Sequence, residues 1–119
     1  MNIGLIGKNG EDKACRFLKR KGYKIIERNY MSRFGEIDII AQNKEYLVFV
    51  EVKTRGENSI ASPREFVDSF KQERIIKTAQ IYLSENPTEL QPRFDVAEIS
   101  VSDGKIKEIV HIEDAFCLY

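Results

Sequence analysis

Two apolar segments separated by four polar residues constrain this chain more than any other feature. Residues 34–41 and 46–53 are rich in Ile, Val, Phe and Tyr, the composition of strands. The Gln42-Asn43-Lys44-Glu45 stretch between them suits a tight hairpin connection. A chain containing such a pair is committed to a sheet, and the segments around it must supply the layers that pack on it.

Upstream, residues 10–21 read as a helix with Ala14, Cys15 and Leu18 on one face and Gly22 as its stop. Residues 23–30 alternate loosely around Ile25 and Ile26, as expected of a strand on the outside of the sheet. Downstream, residues 55–62 are polar, contain Gly56 and Asn58, and predict a mobile loop leaving the second hairpin strand. Ser62-Pro63-Arg64-Glu65 and Ser69-Phe70-Lys71-Gln72 are competing helix starts, each a capping box. Only from Ser69 onward do Gln72, Ile75, Ile76, Ala79 and Leu83 share a face, which predicts a short turn and then a long helix over 70–85. Asn86-Pro87 ends it. Residues 94–101 and 105–112 flank Asp103-Gly104, a two-residue hairpin signal, and the last residues are expected to form a helical turn. The order is αβββαββ, an α/β fold with a mixed five-stranded sheet flanked by helices. Repeats and linkers are absent, so a single domain is expected over 1–119.

At 119 residues and 42% hydrophobic the chain fills one core. Nineteen Lys plus Arg balance nineteen Asp plus Glu, so any binding of nucleic acid must come from a local patch. Cys15 and Cys117 lack metal-ligand or C-x-x-C spacing and both read as core residues. No signal segment is evident, and a reduced, cytoplasmic protein is the expectation. No apolar run approaches the roughly 18 residues of a bilayer-spanning helix, so no membrane partner is expected.

The chemistry concentrates on the first hairpin. Side chains alternate across a strand, so Glu36, Asp38 and Ile40 share one face of its first strand, while Leu47, Phe49, Glu51 and Lys53 share one of its second. Pairing Ala41 with Tyr46 would set Asp38 opposite Phe49 and make Glu51 its diagonal neighbour. Two carboxylates that close repel each other unless a proton or a cation offsets their charge. Mg²⁺, with Mn²⁺ as the alternative, suits two carboxylates completed by carbonyl, water and phosphate oxygens. Lys53 would orient an attacking water and stabilise developing negative charge. Glu11 falls in the apolar face of the first helix and Gln72 in that of the second, so both are candidates to point into the same site. The competing structural readings are a surface E-x-K ion pair, a hydrogen-bonding Asp38, a Glu11 answering its helix dipole, and a Gln72 that caps with Ser69. His111, the only histidine, falls on an expected surface strand and reads as structural. Lys19, Arg20, Lys21, Lys24 and Arg28 cluster, and Lys71, Arg74 and Lys77 line one side of the long helix. Lys19, Arg20, Arg55, Lys71 and Arg74 are the candidate phosphate contacts.

Gly35-Glu36-Ile37-Asp38 followed by Phe49-Val50-Glu51-Val52-Lys53 resembles the PD-(D/E)XK nuclease pattern. With Gly10-Glu11, Gly22-Tyr23, Arg28-Asn29-Tyr30, Lys71-Gln72, Arg93-Phe94-Asp95-Val96 and His111-Ile112-Glu113, nearly the whole chain is similar to the bacterial YraN family. Two positions depart from these patterns: Ile37 precedes Asp38 in place of the naming proline, and Asp114 stands where Asn is usual. The resemblance implies a restriction-endonuclease-like core, distantly similar to archaeal Holliday-junction resolvases. Glu11, Asp38 and Glu51 would match the acidic residues, Lys53 the active-site lysine and Gln72 a helix glutamine. It implies a Mg²⁺-dependent endonuclease acting on structured or branched DNA, and cutting two strands would require a homodimer. The alternatives are a nucleic-acid-binding module with little or no turnover, and an α/β interaction protein whose charges only pair.

Overall fold

The computed structural model describes residues 3–56 and 68–117, with side chains from residue 8 onward. Most of the expected loop over 55–62 and the Ser62-Pro63-Arg64-Glu65 helix start lie outside the described residues. The elements are α1 (Ile3–Arg20), β1 (Lys24–Ser32), β2 (Gly35–Gln42), β3 (Tyr46–Gly56), α2 (Ser69–Glu85), β4 (Gln91–Ser102) and β5 (Lys105–Phe116). The strands form one sheet in chain order, antiparallel except where β3 and β4 run parallel. A parallel pair needs a crossover, and α2 lies in it. This is the expected α/β arrangement, with β1 on the edge.

The helices cover opposite faces. Ala14, Cys15 and Leu18 of α1 pack on Ile39, Ala41, Val48, Val50, Ala97 and Ile99. Ile75, Ala79 and Tyr82 of α2 pack on Ile37, Ile40, Leu47, Phe49, Phe94 and Val96. On the α2 side Phe49 stacks on Phe94 at 5.4 Å, and Phe94 on Phe116 at 5.2 Å. These stacked rings bury large apolar areas across β3, β4 and β5. Thr78 and Tyr82 are buried in α2, and an apolar pattern alone missed both because each carries a hydroxyl.

Helix α1 begins at Ile3 rather than at residue 10. Gly4, Gly7 and Gly10 weaken the helical signal by about 1 kcal/mol each. It ends as expected at Gly22, whose φ of +98° only glycine adopts freely. The Tyr23 N–H donates to the Leu18 carbonyl at 3.0 Å and the Gly22 N–H to the Lys19 carbonyl at 3.0 Å, a Schellman motif.

Helix α2 is capped by Asp68, whose carboxylate accepts the Lys71 N–H at 2.8 Å. The expected capping box at Ser69 does not form, because Ser69 is already the first helical residue. Asp103 and Gly104 turn between β4 and β5 with φ of 52° and 73°, the primed geometry that matches strand twist. The expected C-terminal helical turn is instead strand: Phe116 pairs with Phe94 and buries against it. Cys15 is buried as expected, but Cys117 is exposed just beyond the end of β5.

Candidate active site

Asn43 sets the register of the first hairpin. Its side-chain oxygen accepts the N–H groups of Glu45 at 2.9 Å and Tyr46 at 2.7 Å, and its own N–H donates to the Tyr46 carbonyl at 3.0 Å. Residues 44 and 45 are therefore the whole loop, and Ala41 pairs with Val48, not with Tyr46. An Asx-type side-chain turn won over the four-residue connection. The ladder shifts by two residues, which keeps the face of each side chain but moves Asp38 from beside Phe49 to level with Glu51.

The β2–β3 ladder ends at Ile39–Val50. Beyond it, regular pairing would give the Val52 N–H to the Ile37 carbonyl. Asp38 Oδ2 takes that N–H instead, at 2.8 Å. Alternation also breaks here: Ile37 belongs to the cluster under α2 and Ile39 to the cluster under α1. The expected shared face of Glu36, Asp38 and Ile40 therefore does not run through Asp38. Across on β1, Asn29 adopts a φ of 53° between the Arg28–Ile39 and Tyr30–Ile37 pairs. The left-handed residue of β1 thus stands opposite Asp38.

Asp38 is 8% exposed and Glu51 6%. Burial, and then the charge of Glu51, push the Asp38 carboxyl up to about 7. Glu51 Oε1 lies 3.3 Å from Lys53 Nζ and 2.6 Å from Lys71 Nζ. Burial and the neighbouring Lys71 lower the Lys53 ammonium pKa. Burial opposes the Lys71 charge, but hydrogen bonds led by that to Glu51 prevail and raise its pKa. The splayed end of β2 and β3 thus holds two buried carboxylates and two ammonium groups, one of them delivered by α2.

Glu11 adds its negative charge to the field at Asp38, while its own carboxylate sits 3.5 Å from Arg28. Arg28 bonds more closely to Asp12, at 2.8 Å. Asp38, Glu51 and Glu11 do not gather as one ligand set: among the described residues no three of His, Cys, Asp and Glu do. Gln72 is half-buried beside Lys71, and the Asp68 cap removes its capping role. Arg55 lies in β3 rather than in a loop, with its guanidinium 3.1 Å from Glu98 Oε1. Arg74 stands at the β1–β2 turn, close to Gly35. Lys19 and Arg20 are not brought to this site. They lie eight and nine residues beyond Glu11, about 12 Å along the helix axis, where Arg20 lines a groove with Lys13, Arg16, Phe17 and β5.

Two features escaped sequence reasoning. Glu98, next to Lys53 in the parallel ladder, is 4% exposed. Three residues earlier in β4, Asp95 is fully buried and binds both Nε and Nη2 of Arg93, at 2.9 and 2.8 Å. It also accepts the Asp114 N–H at 3.0 Å and lies 2.7 Å from His111 Nε2. The His111 side chain is only 2% exposed, not on the surface as expected. Lys21 donates to its Nδ1 at 2.7 Å, so the Nε2 proton points at Asp95. The signal was present: Arg93 with Asp95, and His111 with Glu113, are same-face polar pairs on apolar strands, the reasoning that found Glu51 and Lys53.

The mixed sheet between two helices, in the order αβββαββ, is consistent with a restriction-endonuclease-like fold, and its acidic end carries the E-x-K element. Within that class the chain belongs to the uncharacterised protein family UPF0102, the YraN proteins, whose family model matches residues 10–99. It is 44% identical over 119 residues to a UPF0102 protein of Caldanaerobacter subterraneus subsp. tengcongensis, covering 98% of each chain. It is 47% identical over 113 residues to one of Persephonella marina, covering 94% of this chain and 93% of the relative. A third, from Dictyoglomus thermophilum, is 45% identical over 118 residues, covering 98% and 100%.

Proposed function

We propose that this protein is a metal-dependent endonuclease that hydrolyses phosphodiester bonds in structured or branched DNA. One observation carries the reading: Asp38 and Glu51 lie level and buried where the β2–β3 ladder opens, with Lys53 and Lys71 on Glu51. The donor set fits Mg²⁺ or Mn²⁺, which take one or two carboxylates and complete their shells with water and phosphate oxygens. Asp38 and Glu51 would hold the ion, which when bound supplies Lewis acidity toward phosphorus and a more acidic water. Lys53, within hydrogen-bonding range of Glu51, orients the attacking water and stabilises charge developing on the phosphoryl oxygens. Glu11 adds negative charge that favours the cation. Lys71 flanks the site from α2, and Gln72, the next residue of that helix, would be the second group it offers. Cutting both strands of a junction would take a symmetric homodimer.

A second reading, a nucleic-acid-binding module with little turnover, draws on the two lysines that already neutralise Glu51. Labelled linear duplex, single strand, flap and four-way junction, incubated with Mg²⁺ or Mn²⁺, separate the two. Cutting that requires metal and disappears in Glu51→Gln and Lys53→Ala supports the endonuclease. Binding to one of these structures with no cutting by the wild type would favour the module.

A further inference from the structure

We infer that the groove between α2 and the β1–β2 turn binds a single-stranded nucleic-acid segment, with Phe70 as the stacking platform for an unpaired base. The inference deepens the nucleic-acid reading above and rests on it.

Phe70, Glu73, Arg74 and Lys77 fall at i, i+3, i+4 and i+7, one face of α2. The Asp68 cap starts the helix so that Lys71 turns inward to Glu51 while its neighbour Phe70 stays 67% exposed. Arg33 and Phe34, from the β1–β2 turn, form the opposite wall of a groove of about 170 Å³.

The lining alternates cations with rings. The Arg74 guanidinium lies 5.5 Å from the Phe70 ring centre, and Arg33 and Lys77 lie 4.8 and 5.3 Å from that of Phe34. Glu73 is the one acid among the lining residues, and it pairs with Lys77 at 3.1 Å. Arg33 and Arg74 have no ion-pair partner among the described residues. On a chain of zero net charge, two uncompensated guanidinium groups beside an exposed aromatic ring are a local polyanion site.

The rings decide which polyanion. Phosphates need only the cations, and a duplex offers its backbone and groove edges but keeps its base faces stacked. Unpaired bases offer faces, and aromatic rings interleaved with cations are the surface single strands use. The groove starts at Phe70, one residue from Lys71, and runs about 10 Å along α2 to Lys77, so a strand lying in it leads to the Asp38–Glu51 end of the sheet.

Fluorescence anisotropy of a short labelled oligonucleotide, deoxyribose or ribose, as a single strand or annealed to its complement, tests this in EDTA, where nothing is cut. Phe70→Ala is expected to weaken single-strand binding roughly 5- to 150-fold, the range that one base on one ring supplies, and to leave duplex binding unchanged. Arg74→Ala and Arg33→Ala should each flatten the salt dependence by about 0.7 in log–log slope. The chain has no tryptophan, so the indole introduced by Phe70→Trp reports directly, and the strand should quench it while the duplex does not. Equal single-strand affinity in wild type and Phe70→Ala would overturn the inference. If metal-dependent cutting nevertheless persisted, the endonuclease reading would survive that failure. Phe70-dependent strand binding without cutting under any metal would uphold the inference and end the endonuclease reading. Absence of all nucleic-acid binding would overturn both.

Discussion

Replacing Asp38 by Asn should make the metal-free protein more stable at alkaline pH, although most substitutions at buried positions destabilise. The Asp38 carboxyl is pushed up to about 7, by burial first and by Glu51 second. In an unfolded chain the same group titrates near 3.9. Between those values the native state holds a proton that the unfolded state has released. Stability therefore falls as pH rises from about 4 through about 7, and the loss is complete above that. About three pH units at 1.36 kcal/mol each set an upper figure of about 4 kcal/mol. Relaxation of the site and water penetration around the charged carboxylate reduce it, so a gain of about 2–4 kcal/mol is expected at about pH 8. Below about pH 4 the carboxyl is protonated in both states, and Asn reproduces its shape and its acceptor for the Val52 N–H, so the gain should vanish. Urea unfolding in EDTA, with constant m-values at acid, neutral and alkaline pH, measures the difference directly. A gain independent of pH, or an Asn variant weaker than wild type at alkaline pH, would refute this account of the site.

The second charged cluster behaves in the opposite sense. Burial opposes the Asp95 charge, but hydrogen bonds from His111 and Arg93 prevail and hold its pKa below the usual carboxylate range. Its stabilisation is therefore present above about pH 4 and is lost as acid titrates the native carboxylate. Asp95→Asn, which leaves the largely buried Arg93 only the exposed Glu113, at 3.4 Å, as counter-charge, should cost about 3–5 kcal/mol at neutral pH in urea unfolding. Gly22→Ala forces an L side chain into a φ of +98° and should cost about 1–2 kcal/mol, read as a lower Tm with unchanged helical circular dichroism. Phe70→Ala, at an exposed position, should change unfolding free energy by less than about 0.5 kcal/mol.

Local rules made much of this protein legible. Periodicity found both helices and all five strands, and Gly22, Asn86-Pro87 and Asp103-Gly104 marked three boundaries because each is set by its own backbone chemistry. The strand alternation that flagged Glu51 and Lys53 is equally local, and the two do lie together at 3.3 Å. The C-terminal strand was less legible, since Phe116 is held by Phe94, more than twenty residues away in sequence.

The sequence by itself determined the order of elements, the apolar faces and which charged residues stand among them, because propensity and periodicity act over a few residues. Strand register and tertiary packing decided which charges from different elements meet. The Asn43 turn set Asp38 level with Glu51, and the capped start of α2 sent Lys71 onto Glu51 while leaving Phe70 in solvent. The parallel β3–β4 register put Glu98 beside Lys53, and β5 closed His111 over Asp95. Each of these depends on register or on the packing of distant segments, and a one- or two-residue shift changes the partners while leaving the sequence pattern intact.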